Sequence, residues 1–139
     1  MHGVAIVSLA VLASACGSKP TPKSPPAELE IAGPASFAGA WVADDDMDFG
    51  YVLEVGVGGA FRIAMDRGKL GRCEQKGTLV SGDDPRSYKI AYEKNTCDPD
   101  YAGGTIDIAI ASFTRDALVV VTTFAGTSLR RTYTRLPAR

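Results

Sequence analysis

Few side chains in this 139-residue chain could do chemistry, and their types narrow the options. The one histidine is His2, at the extreme N-terminus, so a Ser–His or Cys–His nucleophile pair has no base in the body of the chain. Ser112, Ser128 and the threonines therefore lack an activating partner. Cys73 and Cys97, two thiols without a histidine, make only half of a zinc ligand set. The run Asp44-Asp45-Asp46-Met47-Asp48 offers oxygen ligands of the kind calcium takes, but not the ordered Asp/Asn–Gly–Glu series of a calcium loop. It reads as a solvated loop. Asp98 and Asp100 flank Pro99, which is turn chemistry. Gly56, Gly58 and Gly59 are spaced like part of a phosphate loop, yet neither a lysine nor a helical pattern follows them, so they read as a hairpin turn. Neither an enzyme nor a cofactor nor a metal site is expected.

Cys16 is the exception, because its context points to covalent modification. An apolar run, Gly3–Ala13, is followed by Ser14-Ala15-Cys16. That run is about eleven residues, short of the roughly twenty that span a bilayer, and reads as the core of a signal peptide, although Met1-His2-Gly3 carries no Lys or Arg. Leu12-Ala13-Ser14-Ala15-Cys16 resembles the bacterial lipobox, with Ala13 where that motif usually has Leu. The resemblance implies a signal peptide over 1–15, cleavage before Cys16, and a mature protein held on a membrane by diacylglycerol and an N-acyl chain such as palmitate on Cys16, more than the two signals stable anchoring needs. Gly17 in place of Asp implies an outer membrane, facing the periplasm or the cell surface, where the organism has one. The competing reading is an ordinary signal peptide with a coincidental cysteine. Residues 16–35 hold Pro20, Pro22, Pro25, Pro26 and Pro34 among small polar residues, the composition of an extended tether. Residues 36–139 are left for one domain.

Charge excludes one class of partner. Fifteen Lys and Arg nearly cancel sixteen Asp and Glu, which gives no electrostatic basis for binding nucleic acid. With Cys16 lipidated in an oxidising compartment, Cys73 and Cys97 remain as an even pair and are expected to form one disulfide.

From Phe37 onward, short alternating runs are broken by turn residues, which predicts strands rather than helices. They are Gly39–Asp44, Tyr51–Gly56, Phe61–Asp66, Arg72–Val80, Ser87–Lys94, Thr105–Ser112, Ala117–Phe124 and Ser128–Leu136. Eight such strands in an all-β antiparallel up-and-down meander must close or stack to hide their edges. The midpoint between Cys73 and Cys97 is Pro85, inside the turn between the fourth and fifth strands, so an antiparallel hairpin sets the two cysteines opposite each other.

Phe37-Ala38-Gly39-Ala40-Trp41 opens the first strand and Arg130-Arg131-Thr132-Tyr133-Thr134-Arg135 fills the last. This pairing resembles the lipocalin-like (calycin) domains, in which a Gly-x-Trp closes the barrel floor and an arginine of the last strand packs over the indole. The resemblance implies a small closed barrel with Gly39 and Trp41 at its floor. Arg131 and Arg135 share a face, and Arg131 is the first choice for the arginine. The chain is shorter than a full lipocalin and has no helical pattern after its last strand. A core tryptophan after a turn is the plainer account of Gly39-Ala40-Trp41.

The inward set is expected to be Trp41, Tyr51, Leu53, Phe61, Ile63, Met65, Tyr88, Ile90, Tyr92, Ile106, Ile108 and Phe124. Of these, Trp41, Tyr51, Leu53, Phe61, Ile63, Tyr88, Tyr92 and Ile108 are the candidate ligand contacts. An eight-stranded barrel is just wide enough to be filled by side chains or to hold one small ligand. The large residues lean toward a filled interior, whereas a ligand needs a void. The functional expectation is non-catalytic binding of a small apolar or amphipathic molecule by a lipid-anchored envelope protein. The alternatives are a protein-binding module of the hydrolase-inhibitor kind acting through its loops, and a structural lipoprotein with a filled barrel.

Overall fold

A computed structural model describes residues 17, 24–44, 50–101 and 105–138. Eight antiparallel strands run up and down in sequence order and close into a barrel: β1 (Gly39–Ala43), β2 (Val52–Val55), β3 (Ala60–Asp66), β4 (Arg72–Ser81), β5 (Ser87–Asn95), β6 (Thr105–Phe113), β7 (Ala117–Phe124) and β8 (Thr127–Arg135). Each strand lies within two residues of its expected bounds, because period-two patterning and turn residues specify a half-buried strand locally. Closure is made by β1 against β8, in the register Trp41↔Arg135, Val42↔Thr134 and Ala43↔Tyr133. It leaves no open sheet edge to template aggregation.

Two bulges set which residues face inward. On β5, Glu93 is passed over between the pairs Gly77↔Tyr92 and Lys76↔Lys94. Without that extra residue, the register at the turn would bring Thr96, not Cys97, opposite Cys73. With it, Cys73 and Cys97 lie 4.9 Å apart at Cα and are joined by the expected disulfide. Gly77 makes the bulge possible: a Cβ there would sit 2.0 Å from the Ala91 carbonyl oxygen. On β6, Ala111 is passed over between Ile110↔Val120 and Ser112↔Val119. The parity change keeps Phe113 inward after Ile106, Ile108 and Ile110, and Phe113 is fully buried.

The outer face carries a charge ladder. Arg62 on β3 reaches Glu74 on β4 at 2.6 Å and Glu54 on β2 at 3.5 Å, and Lys94 on β5 reaches Glu74 at 3.3 Å. These cross-strand pairs are solvent-exposed and each contributes little alone.

The tether ends earlier than expected. Ile31 is buried in the core, the Leu29 N–H donates to the Phe113 carbonyl at 2.8 Å, and Glu28 pairs with Arg86 at 2.9 Å. A 3-10 turn over Pro34–Phe37 then delivers Phe37 into the barrel. The folded domain therefore begins near Glu28 rather than at residue 36. A single buried isoleucine in a proline-rich stretch carries no periodicity, so composition alone could not separate it from the tether.

Candidate functional site

The floor of the barrel is built around Trp41, whose side chain is wholly buried. Its indole Nε1 donates to the Phe37 carbonyl at 3.0 Å, which ties the 3-10 turn to β1. Phe113 packs edge-on against both Phe37 and Trp41, and Tyr88 edge-on against Phe37. Such T-shaped contacts match the positive ring edge to the negative face.

The arginine over the indole is Arg135, with Cζ 4.1 Å from the ring centroid. Arg131, the expected partner, instead lies over the Tyr51 ring at 4.7 Å. The register decides this: Trp41 pairs with Arg135, and Arg131 lies four residues up the same face of β8, about 13 Å along a strand. Arg135 also donates from Nη1 to the Ala38 carbonyl at 3.2 Å and from Nε to the Arg115 carbonyl at 2.7 Å, so one guanidinium stitches the N-terminal segment, the β6–β7 turn and the indole together. Gly39 fits the same corner. It has a φ of 136°, and a Cβ there would come within 3.1 Å of the Arg135 Nη1.

Above this floor the interior is not filled. A cavity of about 290 Å³ opens over Phe37. The expected Tyr51, Leu53, Phe61, Ile63, Tyr92 and Ile108 all line it, with Met65 and Ile90. Sequence reasoning missed Val55, Leu79, Ile110, Leu118, Val120 and Leu129 on the same wall. Leu79, Leu118 and Val120 lie where apolar residues run together, so no alternation told the inward ones from the outward ones. Trp41 and Tyr88 are not on the wall: both belong to the floor beneath Phe37, where the Tyr88 hydroxyl donates to the Pro85 carbonyl at 2.7 Å. Ile106 packs against the core without lining the cavity. Phe124, expected inward, is 42% exposed at the β7–β8 turn. The interior stays hollow because the largest rings are spent on the floor. Leu, Ile and Val dominate higher up and do not fill the width of an eight-stranded barrel. Leu129 lines the cavity and is more than half exposed, so the cavity reaches solvent at the end opposite Phe37.

The polar groups on the wall are Tyr51, Tyr92, Tyr133, Gln75, Thr122 and Arg131. The Tyr133 hydroxyl donates to that of Tyr51 at 3.4 Å, a long bond. Burial first, and then the neighbouring Tyr51, hold the Tyr133 phenol well above its usual range. The same two causes push Tyr92 up to about 12. Both stay protonated at neutral pH, so they act as neutral hydrogen-bonding groups and not as bases.

Cys16 and Asp45–Asp48 lie outside the described residues. Asp44 accepts a hydrogen bond from Thr134 Oγ1 at 2.6 Å, which fixes the start of the acidic loop to β8. The Asp98 N–H is taken by the Asn95 side chain at 2.8 Å, in the manner of a turn. Among the described residues, no group of three or more His, Cys, Asp or Glu is placed to hold a metal ion. Compared with known proteins, the chain matches no family model and no curated protein.

Proposed function

We propose that this chain is a lipid-anchored cell-envelope protein of the lipocalin-like type, which holds a small, largely apolar or amphipathic molecule in its barrel without transforming it. The observation that carries the reading is the cavity of about 290 Å³, walled by aliphatic and aromatic side chains and reaching solvent at one end. Its size is at the low end of small-molecule pockets. The floor supports the lipocalin-like assignment: a glycine and a buried tryptophan on the first strand and a last-strand arginine over the indole are the parts that the resemblance implies, with Arg135 in place of Arg131. The wall supports a non-catalytic role, because its polar groups are phenols, an amide, a hydroxyl and a guanidinium, with no nucleophile beside a base. The anchor rests on the lipobox-like Leu12–Cys16 and the proline-rich segment behind it.

Two experiments test the two halves. Titration with N-phenylnaphthylamine should raise its fluorescence at one saturable site, and Val120→Phe, which projects a ring into the cavity, should abolish the rise while the fold is retained. A wild-type protein that neither takes up such probes nor carries a co-purified small molecule would remove the ligand-binding half. Attention would then pass to a protein partner gripping Leu70, exposed on the β3–β4 connection, and Leu129, exposed on β8, at the open end. Labelling with radioactive palmitate should mark the wild type and not Cys16→Ser. Equal labelling would remove the anchor.

A further inference from the structure

The chain enters the barrel at one end and the cavity opens at the other. Between the proline-rich segment and β1, residues 28–38 form a strap across the floor. Its Leu29 N–H donates to the Phe113 carbonyl at 2.8 Å, and Glu28 pairs with Arg86 of the β4–β5 turn at 2.9 Å. Ile31 and Phe37 of the strap are buried, as are Trp41 and Phe113 against it. Among the described residues that end is closed. Solvent is reached at the opposite end, past the half-exposed Leu129.

Charge divides along the same axis. The connections at the mouth hold six aspartates, four from the 44–48 run with Asp98 and Asp100, against Arg67 and Lys69. The segment 16–27, the strap, the floor connections and the C-terminal residues balance five acidic side chains with five basic ones. An anionic bilayer surface repels the acidic rim and leaves the neutral end unopposed.

We propose that the anchored barrel turns its closed floor to the bilayer that holds Cys16 and its mouth to the aqueous compartment, so that ligand enters from water and not from that bilayer. This rests on both halves of the reading above, the anchor and the cavity. About eleven residues, 17–27, separate the anchor from the strap; a flexible chain of that length averages roughly 18 Å end to end and a polyproline-like one about 34 Å. The nine residues of β8 run about 30 Å, or about 23 Å along the axis at the usual barrel tilt. The mouth then stands roughly 40–55 Å from the lipid. Laying it on the bilayer would draw the tether back along the whole barrel, beyond its average reach, and would press the acidic rim onto the headgroups. The size of the cavity agrees: about 290 Å³ holds roughly ten water-sized groups at about 30 Å³ each, a molecule small enough to cross water unaided.

The test uses the full-length lipidated protein in vesicles of phosphatidylethanolamine and phosphatidylglycerol. A donor fluorophore is attached at the floor through Asp83→Cys or at the mouth through Lys69→Cys, both exposed turn positions, with a rhodamine acceptor on the lipid headgroups. Energy transfer should be at least twofold more efficient from position 83 than from position 69. Equal transfer, or the reverse order, overturns the orientation. The route of entry is read with N-phenylnaphthylamine, either free or tethered to a phospholipid of the same bilayer, through energy transfer from Trp41. Val120→Phe, which blocks the cavity, should remove the saturable transfer to the free probe and leave transfer to the tethered probe unchanged. If Val120→Phe also lowers transfer to the tethered probe, the mouth reaches the bilayer and the proposal fails while ligand binding stands. If the free probe shows no saturable transfer in solution, or Cys16 takes no palmitate, the cavity or the anchor fails by itself and this inference falls with it.

Discussion

Replacing Arg135 by Ala removes three contacts that no other side chain can make together. The guanidinium lies 4.1 Å from the Trp41 centroid, a cation–π contact of about 1 kcal/mol at a partly desolvated site. Its hydrogen bonds to the Ala38 and Arg115 carbonyls contribute about 1 kcal/mol each, less where water can replace the donor. The expected loss is about 2–3 kcal/mol, or roughly a 10 °C fall in Tm for a domain of this size. Arg135→Lys keeps the charge but not the planar fork, and should recover under half of that. Trp41 is the only tryptophan in the chain, so its emission reports on this corner alone. Thermal unfolding followed by tryptophan fluorescence should therefore show a shifted native spectrum and a lower midpoint for Arg135→Ala. Arg131→Ala, whose side chain lies over Tyr51, should leave the native tryptophan spectrum unchanged. A loss below about 0.5 kcal/mol for Arg135→Ala, or a change in tryptophan emission for Arg131→Ala alone, would refute the assignment of barrel closure to Arg135.

Four further outcomes follow from other contacts in the barrel. Replacing both Cys73 and Cys97 by Ala should destabilise the fold by about 3 kcal/mol, from a loop closed over a sequence separation of 24, as measured by urea unfolding. Gly77→Ala should cost about as much, because its Cβ would meet backbone at Ala91 and could be accommodated only by undoing the bulge; disulfide formation in the variant, followed by thiol assay on refolding, should slow. In acid, Glu74 is held below its ordinary range, first by its hydrogen bond to Arg62 and then by that to Lys94. The stability it contributes is complete above the ordinary carboxylate range and is lost as pH falls through the lowered value, so Glu74→Gln should flatten part of the acid limb of a Tm–pH profile. In alkali the sign reverses for Tyr92: its raised pKa contributes stability below pH 10 that is lost as pH rises towards about 12, and phenolate absorbance in Tyr92→Phe should lack one late step.

Much of the architecture was legible in the order of residues. Strand positions follow from period-two patterning and turn residues, both local, and the β-only class follows from the absence of a helical period. The cysteine pairing was also legible, although for a reason incompletely seen. Counting from Pro85 places Cys73 opposite Cys97, but the turn itself is offset, and Glu93 restores the count. A bulge is decided by how backbones meet across strands, and Gly77 was the one local sign of it.

The sequence by itself determined which residues face inward on most strands and that a glycine and a tryptophan begin the barrel. Only the tertiary structure decided three things. The choice of Arg135 over Arg131 depends on the register between the first and last strands, which no local pattern encodes because the pairing spans the whole chain. The docking of Glu28–Phe37 as the floor depends on a cavity end that exists only after closure. Whether the interior is hollow depends on the depth at which each inward ring sits. The largest rings, Trp41, Phe37 and Phe113, gather at one end, so the same inward residues that might have filled the barrel leave about 290 Å³ above them.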